Sequence, residues 1–222
     1  MIRKLGLIFE CDVGGPDELV FKCLVRRLSP ETEVLTRSLG NKPAIFERGP
    51  DVAKALVETD KCDLVMIVWD LKPLWEKPGS CKTEAQTLRL NLDGLPAATR
   101  SKIRLLCLTY ELETWLLADD AAVRDYLSKE AHPCTWQVSK PASYQDAKAQ
   151  LNRVFSEFRG RRYEDFSEAI KVASKWTSTT KLRKIPSFKR FCVLLTGNKA
   201  VDFQKGAEVC GDLRQDALKM GR

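Results

Sequence analysis

The chain has 222 residues, of which 44% are apolar, so it can bury the core of one main domain. A formal charge of +7 suits a phosphate-rich partner, although a solvated basic face gives the same composition. No apolar run approaches the roughly 18 residues that cross a bilayer, so we predict no membrane span and a cytoplasmic location.

Cysteine spacing argues against a zinc site or a disulfide framework. The eight cysteines are scattered singly and form no Cys-x-x-Cys pair. Cys23, Cys107 and Cys192 lie inside apolar runs, where a thiol usually serves as a small core side chain. We therefore predict reduced cysteines, as is usual in cytosolic proteins.

Three apolar segments predict buried strands, and each segment ends in a carboxylate. They are LGLIFE, which ends at Glu10, DLVMIVWD, which ends at Asp70, and IRLLCLTYE, which ends at Glu111. One acidic strand end is commonplace in proteins. Three acidic ends on separate strands are more informative and suggest a shared role.

Helical patterns lie between these strands. Residues 17–28 carry apolar side chains at helical spacing, and Pro16 suits the first turn of that helix. ETEVLTRSLG predicts a short strand, and PDVAKALVETD predicts a second helix that starts after Pro50. Strands that alternate with helices predict an α/β fold with a mostly parallel sheet flanked by helices.

The acidic strand ends predict a ligand site. In open parallel sheets, ligands bind beyond the carboxyl ends of the strands. Glu10, Asp70 and Glu111 would meet at that edge, where their like charges destabilise the fold unless a cation compensates them. Oxygen ligands of this kind suit Mg²⁺ or Mn²⁺.

The segment TYELETWLLADDAAVRDYL follows the third strand. Leu112, Trp115 and Leu116 would form the buried face of a helix, with Glu111 and Glu113 near its start. Favourable interaction with the helix dipole would by itself explain two acids there. Their position directly after a buried strand nevertheless favours a place in the site.

Four segments together resemble a bacterial domain-of-unknown-function family allied to the Toprim domain of overcoming-lysogenization-defect nucleases. These segments are IFECDVGGPDELV, VWDLKP, YELETWLLAD and IPSFKRF, and the resemblance covers about residues 3–197. It implies a Toprim-like sheet and phosphodiester cleavage that depends on Mg²⁺ or Mn²⁺, with DNA favoured over RNA. A role in antiphage defence, an ATPase partner and an oligomeric state are also compatible with it.

Carried over to this sequence, the resemblance implies Glu10, Asp70 and Glu113 as catalytic residues. The acid at the following helix start is Asp17 or Glu18, and because the first turn is longer than the family pattern, either Asp12 or Asp17 would face the metal. Lys72 replaces the second acid of the family's Asp-x-Asp element, which puts a second metal in doubt, and Glu76 is a candidate substitute. The implied metal ligands are Glu10, Asp12, Asp17, Asp70, Glu111 and Glu113.

The C-terminal part of the chain predicts a helical cap. YQDAKAQLNRVFSEF and YEDFSEAIKVASKW both have the periodicity of amphipathic helices. We predict a Toprim-like core over residues 1–130, a cap over 131–197 and a weakly structured tail over 198–222. Basic residues around IPSF are predicted to bind nucleic-acid phosphates, namely Arg183, Lys184, Lys189 and Arg190.

Two functions follow from these observations. The first is a metal-dependent nuclease, and the second is a catalytically weak Toprim-like module that binds nucleic acid or regulates a partner protein. Lys72 stands where the family pattern has an acid, and this difference favours the second function. His132 is the only histidine, so a histidine-based triad or a histidine-rich metal site is not expected.

Overall fold

A four-stranded parallel sheet forms the centre of the fold. In the computed structural model, which describes residues 2–72, 79–128, 132–138, 146–204 and 210, the strand order is β2-β1-β3-β4. Every pairing between neighbouring strands is parallel. The predicted α/β class with a parallel sheet is therefore confirmed. The strands are β1 (Lys4–Phe9), β2 (Glu33–Ser38), β3 (Leu64–Asp70) and β4 (Ile103–Leu108).

Helices cover both faces of the sheet because the strand side chains alternate between the two faces. In β3, Met66 and Val68 point into one hydrophobic cluster, whereas Ile67 and Trp69 point into the other. The first cluster also contains residues of helix 16–28 and of the five helices between residues 113 and 196, and the second contains residues of helices 42–58 and 81–92. The helices are α1 (Pro16–Leu28), α2 (Lys42–Glu58), α3 (Cys81–Leu92), α4 (Ala97–Arg100), α5 (Glu113–Ala118), α6 (Asp120–Leu127), α7 (Ala147–Arg159), α8 (Asp165–Ser174) and α9 (Pro186–Thr196), with a 3₁₀ turn at Leu182–Lys184.

Helix α2 begins at Lys42, eight residues before Pro50, so the prediction that it starts after Pro50 is wrong. Its N-cap is Asn41, whose side chain accepts a hydrogen bond from the Ala44 N–H at 3.0 Å. Pro50 cannot donate to the carbonyl of Phe46. That carbonyl instead accepts a hydrogen bond from the Asn91 side-chain amide at 3.0 Å, so α3 compensates for a proline inside α2.

Two disulfides overturn the prediction that all cysteines are reduced. Cys23 in α1 is bonded to Cys210, and Cys81 at the start of α3 is bonded to Cys107 in β4. The partners are 187 and 26 residues apart in sequence, so tertiary packing pairs them and their local spacing gave no indication of it. Cys62, Cys134 and Cys192 are free and buried, as predicted for core thiols, and Cys11 is free and half-buried.

The helices after residue 146 pack on the same side of the sheet as α1. The guanidinium of Arg27 in α1 donates to the carbonyl of Trp176 at 2.5 Å and lies 3.8 Å from the ring centroid of Phe203. Cap and sheet side chains thus share one hydrophobic cluster. The predicted division into core, cap and tail stays a prediction, and the tail beyond residue 204 lies outside the described residues except for Cys210.

No helix in the described part of the chain is long and apolar enough to cross a bilayer.

Candidate functional site

Three carboxylates meet at the carboxyl edge of the sheet. Glu10 directly follows β1, Asp70 is the last residue of β3, and Glu113 begins α5 after β4. Because β1, β3 and β4 are adjacent and parallel, these positions share one edge. The contact between the first two is direct, since the Asp70 N–H donates to Oε1 of Glu10 at 3.2 Å.

The turn between β1 and α1 brings Asp17 to the same edge. Gly14 has a φ of +73°, and a Cβ at Gly15 would stand 2.8 Å from the carbonyl oxygen of Asp12. Both glycines are therefore required for the turn. Asp17, in the first turn of α1, then lies within electrostatic range of Glu10, Asp70 and Glu113.

Asp12 lies apart from these acids. Its side chain is exposed, and one of its carboxylate oxygens approaches Gly40, in the connection after β2. Asp12 lines the outer part of the cavity that also contains Glu10 and Asp17. Of the two alternatives in the long first turn, the structure thus brings Asp17 within electrostatic range of the other acids, whereas Asp12 lines the cavity near Gly40.

The neighbouring acid, Glu18, holds the turn in place. Its Oε2 accepts hydrogen bonds from the Gly14 N–H at 2.9 Å and the Ser38 hydroxyl at 3.1 Å. Its Oε1 accepts from Thr36 at 2.8 Å and from Lys22 at 2.5 Å. Because both oxygens already have partners, Glu18 positions the turn and is not a candidate ligand.

The acids destabilise one another's charged forms. Burial, opposed in part by the Asp70 N–H, raises the pKa of Glu10 to about 7. Burial and the nearby Glu111 carboxylate raise the pKa of Glu113 to about 8. Burial raises the pKa of Asp17 to about 6, and burial together with the other four acids raises the pKa of Asp70 well above its usual range. We call Glu10, Asp17, Asp70, Glu111 and Glu113 the acidic cluster.

The donor set of the acidic cluster fits a divalent cation. Oε2 of Glu10 is buried and has no hydrogen-bond partner among the described residues. An unsatisfied buried carboxylate oxygen is costly, and carboxylates are the preferred ligands of Mg²⁺ and Mn²⁺. In the described part of the chain, no three side chains of Asp, Glu, His or Cys already stand in positions that would hold one ion. Ion binding would therefore need the carboxyl groups to rotate toward one another.

Helices α7 and α8 bring a lysine to the cluster. The backbone N–H of Lys148, in the first turn of α7, donates to Oε1 of Glu111 at 2.7 Å. The Lys148 ammonium forms an ion pair with Asp165 at the start of α8. Burial alone would lower the pKa of Lys148, but Asp165 and the Glu113 and Glu111 carboxylates raise it above its usual range.

A second lysine lies on the other side of Glu10. Lys42, the first residue of α2, is buried, and its ammonium donates to the Leu71 carbonyl at 2.8 Å and lies 3.4 Å from Glu84. Its charge lowers the pKa of Glu10 and so opposes the effect of burial. Glu84 also accepts a hydrogen bond from the indole of Trp69 at 2.7 Å, which fixes its position.

Tyr163, in the connection between α7 and α8, lies near Glu113 of the acidic cluster. Its side chain is buried, and its hydroxyl has no hydrogen-bond partner of normal geometry among the described residues. Burial, followed by the charge of the nearby Glu113, raises the pKa of Tyr163 well above its usual range. The hydroxyl therefore stays protonated and is available as a donor beside Glu113.

An open cavity of about 490 Å³ gives access to the cluster. Glu10 and Asp17 line it from the sheet side, Lys42 from α2, and Asp165 and Phe166 from α8. The cavity is therefore formed by both the sheet and the cap. Its mixed charge would suit a substrate that carries phosphate groups close to bound cations.

The four predicted phosphate-binding residues differ in exposure and surroundings. Arg190 is exposed and lines two cavities beside β4. Arg183 is half-buried and lies 3.5 Å from the Thr180 hydroxyl, whereas Lys184 and Lys189 are exposed on the surface. Of these four residues, Arg190 is the one that lines a described cavity.

The remaining motif residues have structural roles. The indole N–H of Trp115 donates to the Ser187 hydroxyl at 2.9 Å, and its ring packs 5.1 Å from that of Phe188. The ETWLLAD and IPSF segments therefore bind each other in the core. The Lys72 ammonium lies 5.6 Å from the ring centroid of Tyr110, and Glu76 lies outside the described residues.

Sequence reasoning missed Lys42, Lys148, Tyr163 and Asp165. Lys42 and Asp165 begin helices, and Lys148 lies in the first turn of another. In an α/β protein such positions can face the edge of the sheet, which is the one signal that the sequence offered. The docking of the cap on the acidic cluster, which brings Lys148 and Tyr163 to the site, depends on long-range packing. No family model, curated protein or solved structure matches this chain in comparisons with known proteins.

Proposed function

We propose that this protein is a metal-dependent nuclease of the Toprim type that cleaves phosphodiester bonds, in DNA more readily than in RNA. The observation that supports this proposal is the acidic cluster at the carboxyl edge of the sheet, with the unsatisfied Oε2 of Glu10. A cluster that raises the pKa values of its own members is costly to the fold, and a bound cation would offset that cost.

Each residue of the site has a role in this proposal. Glu10, Asp70 and Glu113 would hold Mg²⁺ or Mn²⁺, with Asp17 and Glu111 as additional oxygen donors and Asp12 at the rim. When bound, the ion would polarise the scissile phosphate and supply a more acidic water. In the metal-free protein, Glu113 and Glu10 have pKa values raised to about 8 and about 7, so they hold protons near neutral pH that a bound cation would displace.

Lysines near the acids would bind substrate. Lys148 is held beside Glu111 and Glu113, and Lys42 lies beside Glu10. Their ammonium groups would balance the charge of a phosphate that enters the cavity. Neither contact reads a base, so we expect cleavage with little sequence preference.

The second candidate is a catalytically weak Toprim-like module that binds nucleic acid or regulates a partner. Two observations favour it: Lys72 stands at the position of the second acid of Asp-x-Asp, and the described carboxyl groups are not already arranged around one ion. An ATPase partner, an oligomeric state and a role in antiphage defence are compatible with both candidates.

A cytoplasmic location also belongs to the proposal. Disulfides are uncommon in that compartment, so the two bonded cysteine pairs make the location testable. If the location is correct, alkylation of protein taken directly from cells should find Cys81 and Cys107 as thiols, and the disulfide seen in the structure would form only after the protein leaves the cell. A complete Cys81–Cys107 disulfide in freshly trapped samples would contradict the cytoplasmic location.

Cleavage of labelled DNA and RNA in a titration of Mg²⁺ and Mn²⁺ tests the function. Glu10→Gln and Asp70→Asn keep the side-chain shape but remove the charge, so cleavage should fall by roughly 100-fold or more. Glu47→Gln is the matched control, because Glu47 is exposed on α2 away from the cluster. Cleavage that does not need a metal, or that survives in both site variants, would contradict the proposal.

A further inference from the structure

A groove runs along β4, the strand at one edge of the sheet. Two cavities of about 350 Å³ each share Arg89, Leu105 and Arg190 as lining residues. A third cavity of about 130 Å³ shares Thr109, Pro186 and Ser187 with the first. The three cavities are therefore adjacent and share walls, and together we call them the β4 groove.

The β4 groove is rich in cations. Lys82 and Arg89 lie seven residues apart on one face of α3, with the small side chain of Ala85 between them. Arg100 lines the groove from the end of α4, Arg104 from β4 and Arg190 from α9. The pattern places five cations along one edge of the sheet.

Several of these cations are available to a ligand. Arg100 forms an ion pair with Asp93 at 2.8 Å. Lys82, Arg89 and Arg190 are exposed and form no ion pair with any residue that the structure describes. Since unpaired guanidinium groups in a concave surface attract phosphate, the groove has the charge of a polyanion-binding site.

The groove also ends at the acidic cluster. Its third cavity is lined by Thr109, Tyr110 and Glu111, which follow β4 directly. Glu111 is a member of the acidic cluster and is held there by the Lys148 N–H. A chain of phosphates bound along the groove would therefore be delivered to the carboxylates.

We propose that the β4 groove binds the backbone of single-stranded nucleic acid and guides it to the acidic cluster. This inference rests on the proposed function, because it assumes that the acidic cluster is where the strand reacts. The groove follows one edge strand of the sheet, and its exposed lysine and arginine side chains are placed to contact successive phosphates of a single strand.

Binding measured without metal tests the groove independently of cleavage. Fluorescence anisotropy of a labelled single-stranded oligonucleotide is recorded over a salt series in EDTA. Arg89→Gln/Arg190→Gln should weaken binding at least tenfold at moderate salt and lower the slope of log affinity against log salt by about 1.4, since each lost phosphate contact on a single strand contributes about 0.7. Duplex of the same sequence should bind more weakly than the single strand.

Two control variants make the result specific. Lys54→Gln/Lys171→Gln removes the same charge from exposed sites on α2 and α8, and it should leave the affinity close to that of the wild type. Arg89→Lys/Arg190→Lys keeps the charge and should retain most of the binding. Equal losses in both Gln pairs, stronger binding of duplex, or no binding by the wild type would overturn the assignment. Binding through the groove without any metal-dependent cleavage would instead contradict only the nuclease proposal.

Discussion

Glu10 illustrates how one residue serves both the fold and the site. One carboxylate oxygen accepts the Asp70 N–H, which links the ends of β1 and β3, while the other is buried and has no partner in the part of the chain that the structure describes. The sequence predicted the strand end at Glu10 because an apolar run stops there. The hydrogen bond from the Asp70 N–H depends on the neighbouring strand and could not be predicted.

Removing one charge from the acidic cluster should stabilise the metal-free protein. Asp70→Asn abolishes repulsion with Glu10, Asp17 and Glu113, so we expect Tm in EDTA at pH 8 to rise by about 3 °C or more. At this chain length about 1 kcal/mol corresponds to about 2–4 °C. Thermal denaturation followed by circular dichroism measures the shift. Asp51→Asn, on the exposed face of α2, should leave Tm unchanged, and a lower Tm for Asp70→Asn would mean that the carboxylate is stabilising.

The same residues predict an unusual pH dependence. Below about pH 4 the acids are protonated in both folded and unfolded chains, so they contribute nothing. As pH rises, the unfolded chain releases protons that Asp17, Glu10 and Glu113 retain up to pKa values of about 6, 7 and 8. The free energy of unfolding from these groups therefore falls between about pH 4 and pH 8 and then levels off.

Tm measured across that pH range in EDTA checks this dependence. Saturating Mg²⁺ should flatten the curve at high pH, because an ion that binds the folded carboxylates stabilises only the folded state. Glu113→Gln should make the EDTA curve shallower. A Tm in EDTA that rises steadily from pH 5 to pH 8 would contradict the assigned burial of these acids.

At the scale of elements, apolar runs predicted three strands and Pro16 predicted the start of α1, whereas the start of α2 was not predicted. The runs that predicted β1, β3 and β4 are nearly continuous in apolar side chains, as expected for strands that are buried on both faces of the sheet. This pattern depends only on local sequence. The start of α2 was missed because Pro50 usually marks a first turn. Its missing hydrogen bond is compensated by Asn91, which is distant in sequence.

The contact between α5 and α9 explains why the ETWLLAD and IPSF segments occur together. Ser187→Ala leaves the buried indole N–H of Trp115 without an acceptor, which should lower the free energy of unfolding by about 1–3 kcal/mol. Urea denaturation measures the loss. Ser156→Ala, at an exposed position of α7, is the matched control and should be nearly neutral. A neutral result for Ser187→Ala would show that the hydrogen bond adds little.

At the scale of the whole molecule, the cap and the sheet share one core. Helix α1 lies between the sheet and the cap helices, and Arg27 donates to the carbonyls of Ala173 and Trp176. The helices α7 and α8 could be predicted from their periodicity, whereas their docking could not, because amphipathic faces do not specify a partner. The paired cysteines and the approach of Lys148 to Glu111 were unpredictable for the same reason.

This shared core predicts cooperative unfolding. Far-ultraviolet circular dichroism reports helices and strands, and tryptophan fluorescence reports Trp69 in β3 and Trp176 after α8. The two signals should give coincident urea transitions. Calorimetric and van't Hoff enthalpies should agree for the oxidised protein. Two separated transitions would mean that the cap unfolds independently of the sheet.

The position of Lys148 and Asp165 has a consequence for a chain that is still being synthesised. The ribosome releases the segments that carry Glu10, Asp70 and Glu113 first, and α7 and α8 emerge later. Until then, Glu111 lacks the N–H that holds it, and the carboxylates lack the nearby ammonium. Nascent and prematurely terminated chains therefore carry an incomplete site. If the protein has the proposed nuclease activity, a cell would be exposed to that activity only after most of the chain has been translated.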